Sequence, residues 1–491
     1  MQHAIVIGSG FSGLSAASFL AKAGWKVTLL EKHPIPGGRA RKMEVDGFTF
    51  DMGPSWYWMP DIFERYFNQF GKQVQDYYTL QRLDPSYRVY FRESQMDVPA
   101  DFEALKQLFN ALEPGSGAEL EKFIREAAYK YQVGINKLVF KPGQSLTEFL
   151  DIDLITGVFR LDVFTSISQH VRKHFKNPML RELMEFPVLF LGALPQNIPA
   201  LYSLMNYADI QLGTWYPIGG MYKIVEGMHR LATELGVQFH FNTEVQELVV
   251  ENGGVARVAT NNGTFTADVV ISSADYHHTE TKLLPQAYRS YSDAYWAKRV
   301  MAPSSLLYYV GLNKKLDNVG HHTLFFDTDF GQHGAEIYSQ PQWPSNPLFY
   351  VSATTATDPS GAPQGCENLF FLIPVAAGLT GDTEALRERY FEQILARFEH
   401  RTGQKVAPHI IYKKTFAVSD FINDYHAFKG NAYGLANTLL QTAVLKPGLR
   451  SKKLKNLFYT GQLTVPGPGV PPSLISGEVV AGQVLKYKKR N

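Results

Sequence analysis

The stretch from Ala4 to Trp56 constrains this chain more than any other. Ala4-Ile5-Val6-Ile7 is a short apolar run, and Gly8-Ser9-Gly10-Phe11-Ser12-Gly13 follows it. A helical stretch from Leu14 to Gly24 leads to a second apolar run, Val27-Thr28-Leu29-Leu30, which ends in Glu31 and Lys32. The order reads as strand, glycine turn, helix, strand and acid. Each part has a task if a dinucleotide lies across it. Gly8 permits the tight turn off the strand, Gly10 lets backbone approach a pyrophosphate, and Gly13 lets the helix pack closely on the sheet. The free N–H groups of Phe11, Ser12 and the first helical turn then face the phosphates. Glu31 lies 18 residues after Gly13, where an acceptor for a ribose hydroxyl is expected. An acid there excludes a 2′-phosphate, so the motif favours FAD or NAD over NADP. Gly13, Ala17 and Ala21 form a small-residue row that suits close helix packing.

A length of 491 residues predicts two or three domains. The formal charge of +2 argues against a nucleic-acid partner. The single cysteine, Cys366, excludes an internal disulfide framework and a Cys-rich metal site, and it fits a reducing compartment. No metal is expected. The first strand begins near residue 4, so no secretory leader is expected, and no run of 18 apolar residues occurs. The expected location is cytoplasmic, peripheral on the inner face of the membrane. Two basic groups offer charge either to anionic lipid or to solvent: Lys486, Lys488, Lys489 and Arg490, and Arg172, Lys173, His174 and Lys176.

Beyond Glu31, Pro36-Gly37-Gly38-Arg39 sets a backbone turn beside a guanidinium, which suits a second approach to a pyrophosphate. Phe48-Thr49-Phe50-Asp51 alternates as a strand and is broken at Gly53-Pro54-Ser55-Trp56. Taken together, these motifs resemble the N-terminus of the bacterial-type phytoene desaturase family. Its members are FAD-dependent carotenoid desaturases related to the flavin amine oxidases. The resemblance implies that Gly37, Gly38 and Arg39 lie on the FAD phosphates and that Gly53, Pro54 and Ser55 lie beside the flavin.

The remaining chain is read for organisation. Asp61 to Tyr78 reads as an aromatic-rich helix and turn, and Tyr87 to Phe91 as a strand. Ala104–Leu112, Ala118–Leu138 and Ser145–Phe175 read as helical regions. Leu180 to Tyr207 is strongly apolar but broken by Pro187, Gly192, Pro195 and Pro199. It reads either as a buried helical layer or as the wall of a cavity for a long apolar molecule. Trp215 to Met221 is a turn before a helix at Tyr222–Leu235. The strands Val237–Phe241, Thr243–Val250, Val255–Thr260 and Thr264–Ile271 follow, with a hairpin signal at Asn262-Gly263. The resemblance lays the backbone near Val245 against the adenine. His277 and His278 are too few to hold a metal and read as part of a capped loop. Strands at Ser305–Val310, Leu348–Ser352 and Asn368–Ile373, with a helix at Gly381–Arg401, complete a second apolar block.

Near the C-terminus, Leu457-Phe458-Tyr459 runs into Thr460-Gly461-Gln462, then Pro466 to Ser473 and a final helix. Proline is tolerated in the first turn of a helix, and the free N–H groups there can face a flavin carbonyl oxygen. The segment resembles the family's C-terminal flavin segment, which implies contacts from Gly461, Gln462, Gly469, Val470, Pro471 and Ser473. Gln462 stands where many related flavoproteins carry an acid, and Leu463, Val465 and Pro468 also depart from the pattern.

These readings converge on an α/β fold. It has an FAD-binding Rossmann-like domain of the glutathione-reductase type, discontinuous in sequence at 1–80, 215–290 and 431–491. A substrate domain of mixed sheet and helices, membrane-associating by expectation, takes 81–214 and 291–430. The activity the resemblance implies is desaturation of a long acyclic carotenoid by hydride transfer to flavin, phytoene to lycopene-type products first. A later-pathway enzyme such as a 3,4-desaturase, or a carotene isomerase, is the alternative within the family. Outside it, an amine oxidase or an isoprenoid carrier without flavin shares the fold. Trp56, Phe186, Leu191 and Trp215 are the candidate substrate contacts, oxygen or a quinone is the expected final electron acceptor, and no side chain is named as a catalytic base.

Overall fold

The computed structural model describes residues 1–145, 148, 162 and 164–490. A five-stranded parallel sheet is assembled from three distant parts of the chain. Its order is Leu457–Tyr459, Val269–Ser272, His3–Ile7, Lys26–Leu30 and Gln238–His240. His3–Ile7 is the middle strand, pairing Ala4 with Val27 on one side and with Val269 on the other. Its Ala4, Ile5 and Val6 are fully buried, as expected of a parallel strand covered on both faces.

Two helices lie side by side against this sheet, Phe11–Lys22 and Val470–Arg490. Their close approach centres on Gly477, one of the small residues Ser473, Gly477 and Ala481 that recur every four residues along the second helix. A Cβ on Gly477 would sit 2.4 Å from the Ser12 carbonyl oxygen and 2.6 Å from Ser15 Cβ, and Ser15 Oγ donates to the Leu474 carbonyl at 2.8 Å. The meeting face is therefore Ser12, Ser15 and Ala16. Gly13 faces the turn, where a Cβ would lie 2.0 Å from the Gly8 carbonyl oxygen.

A seven-stranded sheet forms the second layer, in the order Ile410–Phe416, Ser304–Leu312, Glu367–Val375, Phe349–Ser352, His322–Phe326, Tyr87–Phe91 and Gln95–Val98. Alternation gives it two buried faces. Leu306, Tyr308 and Val310 pack under the helix Glu384–Thr402 through Tyr390, Phe391, Ile394 and Phe398. Leu307 and Tyr309 turn the other way, toward the first fifty residues.

Several local expectations change on inspection. The helix expected over Ala118–Leu138 is α-helical at Ser116–Val133 and widens into a π turn from Gly134. The Asn262-Gly263 hairpin pairs Thr260 with Gly263, so its two central residues are Asn261 and Asn262. Much of the helical region expected over Ser145–Phe175 lies outside the described residues, and its visible end is the helix Ile167–His174. The basic group at residues 172–176 is not one solvated face, because His174 is buried and bonded to Glu119. Asp51 accepts from the N–H groups of Met221 and Tyr222 and caps the helix Tyr222–Glu234, while burial pushes its carboxyl up to about 6. Arg88 makes a two-pronged pair with Asp97.

Candidate active site: one cavity with two ends

Where the parallel sheet meets the large sheet, a cavity of about 490 Å³ runs between them. Its polar end is built by the turn after the first strand. Gly8, at φ +93°, and Gly37, at φ +118°, adopt backbone conformations that side-chain-bearing residues rarely reach. A Cβ on Gly10 would meet nothing within 4 Å, so this glycine presents bare backbone to open space. Phe11, Ser12, Gly38, Val245 and Lys32 also line this end. Glu31 is buried, and its carboxylate accepts from Ser9 N at 2.8 Å, Ser9 Oγ at 2.6 Å and His33 N at 2.9 Å. Both Ser9 bonds fall on Oε2 and the His33 bond on Oε1, so the carboxylate is fixed while Oε1 keeps a lone pair for a further donor.

Arg39 is the charge at this end. Its Nε has no hydrogen-bond partner, and it forms no ion pair with a carboxylate among the described residues. Burial lowers the guanidinium from its ordinary range, with Asp275 and Tyr425 opposing that trend. Turned with its carbonyl toward Arg39, the Gln462 amide accepts from both guanidinium Nη atoms at 3.2 and 3.0 Å. The neighbouring Arg41, in contrast, is paired with Asp424. A half-buried guanidinium with no carboxylate ion pair among the described residues, beside bare glycine backbone, suits the donor set that a pyrophosphate requires. The residues present therefore fit a dinucleotide.

Three histidines at this end are held neutral. Burial lowers His278 to about 3 and His277 to about 4, and it also lowers His33. The His278 ring stacks on that of His426 at 4.0 Å. Asp275 caps their turn by accepting from His278 N.

The middle of the cavity is lined by Gly53, Pro54 and Ser55 and by Gly461, Gln462, Gly469, Val470, Pro471 and Ser473. The two glycine-rich segments at opposite ends of the sequence thus meet. Behind the second segment, Lys446 is buried and its Nζ has no partner, and burial lowers it to about 7. A Cβ on Gly467 would stand 3.2 Å from that amine.

The far end is apolar. Trp56, Phe186, Leu189, Leu191 and Met205 line it from one side, and Leu307, Leu324, Phe326, Tyr350 and Leu372 of the large sheet line it from the other. The helix Phe330–Tyr338 adds Phe330, Ile337 and Tyr338. Of the apolar block at 180–207, four of the described residues reach the cavity: Phe186, Leu189, Leu191 and Met205. The sheet and the helix Phe330–Tyr338 supply the larger share, and the sequence reading passed over them. Trp215 does not line the cavity: its strand pairs with Leu80–Arg82, and its indole N–H donates to the Leu212 carbonyl. Gly13 is also absent from the lining and acts through packing under the turn.

Polar groups interrupt the apolar end at His333 and at Tyr350, behind which stands His322. Tyr350 Oη lies 2.6 Å from His322 Nδ1, and the His322 ring stacks on Trp56 at 4.2 Å. Burial pushes the Tyr350 phenol up, partly offset by the Ser55 and Ser352 hydroxyls beside it. Burial also holds the His322 imidazole well below its ordinary range, and its Nε2 has no partner. The His321-His322-Thr323 triplet is visible in the sequence, but only the strand pairing of His322 with Ser352 brings it to this wall.

Comparison with known proteins assigns the family. The profile described as flavin containing amine oxidoreductase matches residues 11–485. The chain belongs to that family. It is 43% identical to the carotenoid 3,4-desaturase of Haloarcula japonica over 99% of this chain and 98% of that protein. It is 30% identical to the zeta-carotene-forming phytoene desaturase of Myxococcus xanthus over 99% of this chain and 94% of that protein. A solved oxidoreductase from Methanosarcina mazei shares the fold, with a TM-score of 0.64 at 16% identity over 98% of this chain and all of its own. The protein is an FAD-dependent oxidoreductase of the carotenoid desaturase branch. This membership sets aside the flavin-free carrier.

Proposed function

We propose that the protein desaturates a carotenoid that is already conjugated, at the 3,4 bond, rather than starting from phytoene. The observation that carries this reading is the full-length similarity to a 3,4-desaturase at 43%, against 30% for a phytoene desaturase. The alternative set out from the sequence therefore replaces phytoene as the first choice.

In this reading residues 1–80, 215–290 and 431–491 hold the cofactor, and 81–214 and 291–430 hold the substrate. Arg39 and the backbone at Gly10, Gly37 and Gly38 take the pyrophosphate, and Glu31 accepts from a ribose hydroxyl. Gly461 to Ser473 and Gly53 to Ser55 flank the flavin ring. FAD bound there supplies the hydride acceptor.

The apolar end orients the polyene. Removing apolar surface from water contributes roughly 25 cal/mol per Å², so a long hydrocarbon binds with no polar anchor. Desaturation takes one hydrogen with its electron pair and the next as a proton. Tyr350 Oη accepts that proton while its own passes to His322 Nδ1, and the C–H electrons become the new double bond. The buried imidazole is a weak base. That suffices for a C–H adjacent to a carbon that has lost hydride. Trp56, stacked on His322, holds the ring in place.

Oxygen or a quinone serves as final electron acceptor in this scheme, and a membrane face delivers the substrate. Val300, Leu440 and Leu445 support the latter. They are exposed and close in space, since the Gln441 side chain bonds both the Val300 N–H and carbonyl. No helix of the described residues is long and apolar enough to cross a membrane.

The test offers purified FAD-loaded protein lycopene and phytoene separately, with a quinone present. The expected outcome is a lycopene product absorbing at longer wavelength, with phytoene unchanged. Consumption of phytoene with lycopene untouched would overturn the assignment. Replacement of Tyr350 by Phe should slow single-turnover flavin reduction while leaving bound flavin unchanged.

A further inference from the structure

Away from the cavity, the helices Ser116–Val133 and Ile167–His174 face each other across a small buried cluster. His170 and His174 are four residues apart on one helix, so their rings share a face. Glu119 and Glu126 stand on the opposing helix, seven residues apart and again on one face. Between them lies Phe123, with its ring 4.9 Å from His170 and 5.4 Å from His174. The imidazoles are 3% and 8% exposed.

The contacts within this cluster are uneven. His174 Nδ1 lies 2.7 Å from Glu119 Oε2, an ordinary hydrogen bond. His170 Nε2 lies 3.6 Å from Glu126 Oε2, which is too long for one, and that nitrogen has no hydrogen-bond partner. One ligand atom from each of Glu126, His170 and His174 falls within 4.8 Å of the others.

We infer that His170, His174 and Glu126 bind one divalent transition ion of the zinc class, with Glu119 as the carboxylate that orients His174. A tetrahedral zinc ion binds nitrogen and oxygen at roughly 2.0–2.2 Å, so neighbouring ligand atoms stand about 3.3–3.6 Å apart. The gap between His170 and Glu126 matches that spacing. With its Nδ1–H donated to Glu119, His174 keeps its lone pair on Nε2, the usual arrangement of a carboxylate behind a metal-bound imidazole. Two imidazoles and one carboxylate suit zinc, cobalt or nickel. Calcium and magnesium prefer oxygen throughout.

The surroundings allow the ion. Lys130, on the same helix as Glu126, carries its positive charge into a salt bridge with Asp162 at 2.9 Å. The Glu126 side chain is 41% exposed, which leaves an entry path and room for water as a fourth ligand. The consequence reaches the cavity. The helix Ile167–His174 leads directly into Pro178–Glu185 and then to Phe186 and Leu191 of the apolar wall. An ion here would fix that wall without touching substrate, so its role is positional.

The test uses full-length, FAD-loaded protein stripped with a chelator and titrated with Zn²⁺ by calorimetry. Expected are one ion per chain and a higher thermal midpoint on addition of Zn²⁺. His170→Gln and His174→Gln should abolish binding while retaining flavin. Glu119→Gln should weaken it about 10–100-fold. If either histidine variant fails to fold, X-ray absorption on the zinc-loaded wild type decides, and two imidazole nitrogens on the ion are the expected result. Absence of saturable Zn²⁺ binding, a spectrum without imidazole ligands, or unchanged affinity in the histidine variants would overturn the inference.

Discussion

The two ends of the cavity are built in opposite ways. The polar end is local: Gly8 to Ser12, Glu31 and Gly37 to Arg39 lie within about thirty residues and act largely through backbone. The apolar end is dispersed. Trp56, Phe186, Leu307, Phe326, Ile337 and Leu372 come from separate elements and act only through side chains. Backbone recognition tolerates little change at a few positions, whereas a wall of hydrocarbon tolerates modest change at many. The polar end should therefore fail abruptly on substitution and the apolar end gradually.

The sharpest way to break that contrast is a pair of glycine substitutions. Gly10→Val projects a side chain into open space, so the fold should survive while FAD binding is lost, measured as absent flavin absorbance at an unchanged apoprotein melting temperature. Gly13→Val meets the Gly8 carbonyl oxygen, where even a Cβ would stand at 2.0 Å, and should instead fail to fold. Equal flavin loss and equal stability in both would remove the distinction between the two glycines. Next in size is Arg39→Met. A hydrogen bond to a charged group is worth about 1.5–3 kcal/mol, so FAD should bind roughly 10–150-fold more weakly by fluorescence titration. Arg39→Lys should restore part of that loss.

The apolar end should respond more mildly. Leu307→Asn places an amide in the wall, and carotenoid KM should rise about tenfold at unchanged flavin content. A loss of flavin would show the two ends to be coupled. The smallest effect concerns pH. His277 and His278 are lowered to about 4 and about 3, so neither charges near neutrality and neither should impose a pH dependence on FAD affinity between about pH 5.5 and 8. The sign for stability follows from the same shifts. Between about 6.5 and 4 the unfolded chain binds protons that the folded chain does not, so stability should fall as pH drops through that window. Urea midpoints at several pH values measure it.

The same contrast explains what was legible in the sequence. A dinucleotide turn needs glycine at fixed offsets and an acid after the next strand, so a local string reports it. The meeting of Gly53 with Gly461 could be read only because both strings resemble one family. The apolar wall left little trace. Leu307 and Phe326 look like any core residues until strand alternation turns them inward, and Trp215 looked like a substrate contact until its strand paired with Leu80–Arg82. The Tyr350–His322 pair depends on the register of two strands about thirty residues apart, which no local pattern encodes. The meeting face of the two long helices shows the same limit: small residues recur along both, and only the packed structure shows that Ser12, Ser15 and Ala16 face Gly477.

The order of strands in the parallel sheet also bears on synthesis. The middle strand, His3–Ile7, is made long before one of its neighbours, Val269–Ser272, and the outer strand beyond that, Leu457–Tyr459. At about 5–20 residues per second, the interval between making the first strand and the last is of order 25–90 seconds. Through that interval the apolar strand His3–Ile7 lacks its permanent cover, and the helix Phe11–Lys22 lacks the partner that docks on Ser12 and Ser15. During that interval the neighbour already made is Lys26–Leu30, which pairs with His3–Ile7 along its whole length. The cavity that the cofactor would occupy is complete only once the segment from Gly461 to Ser473 has been made.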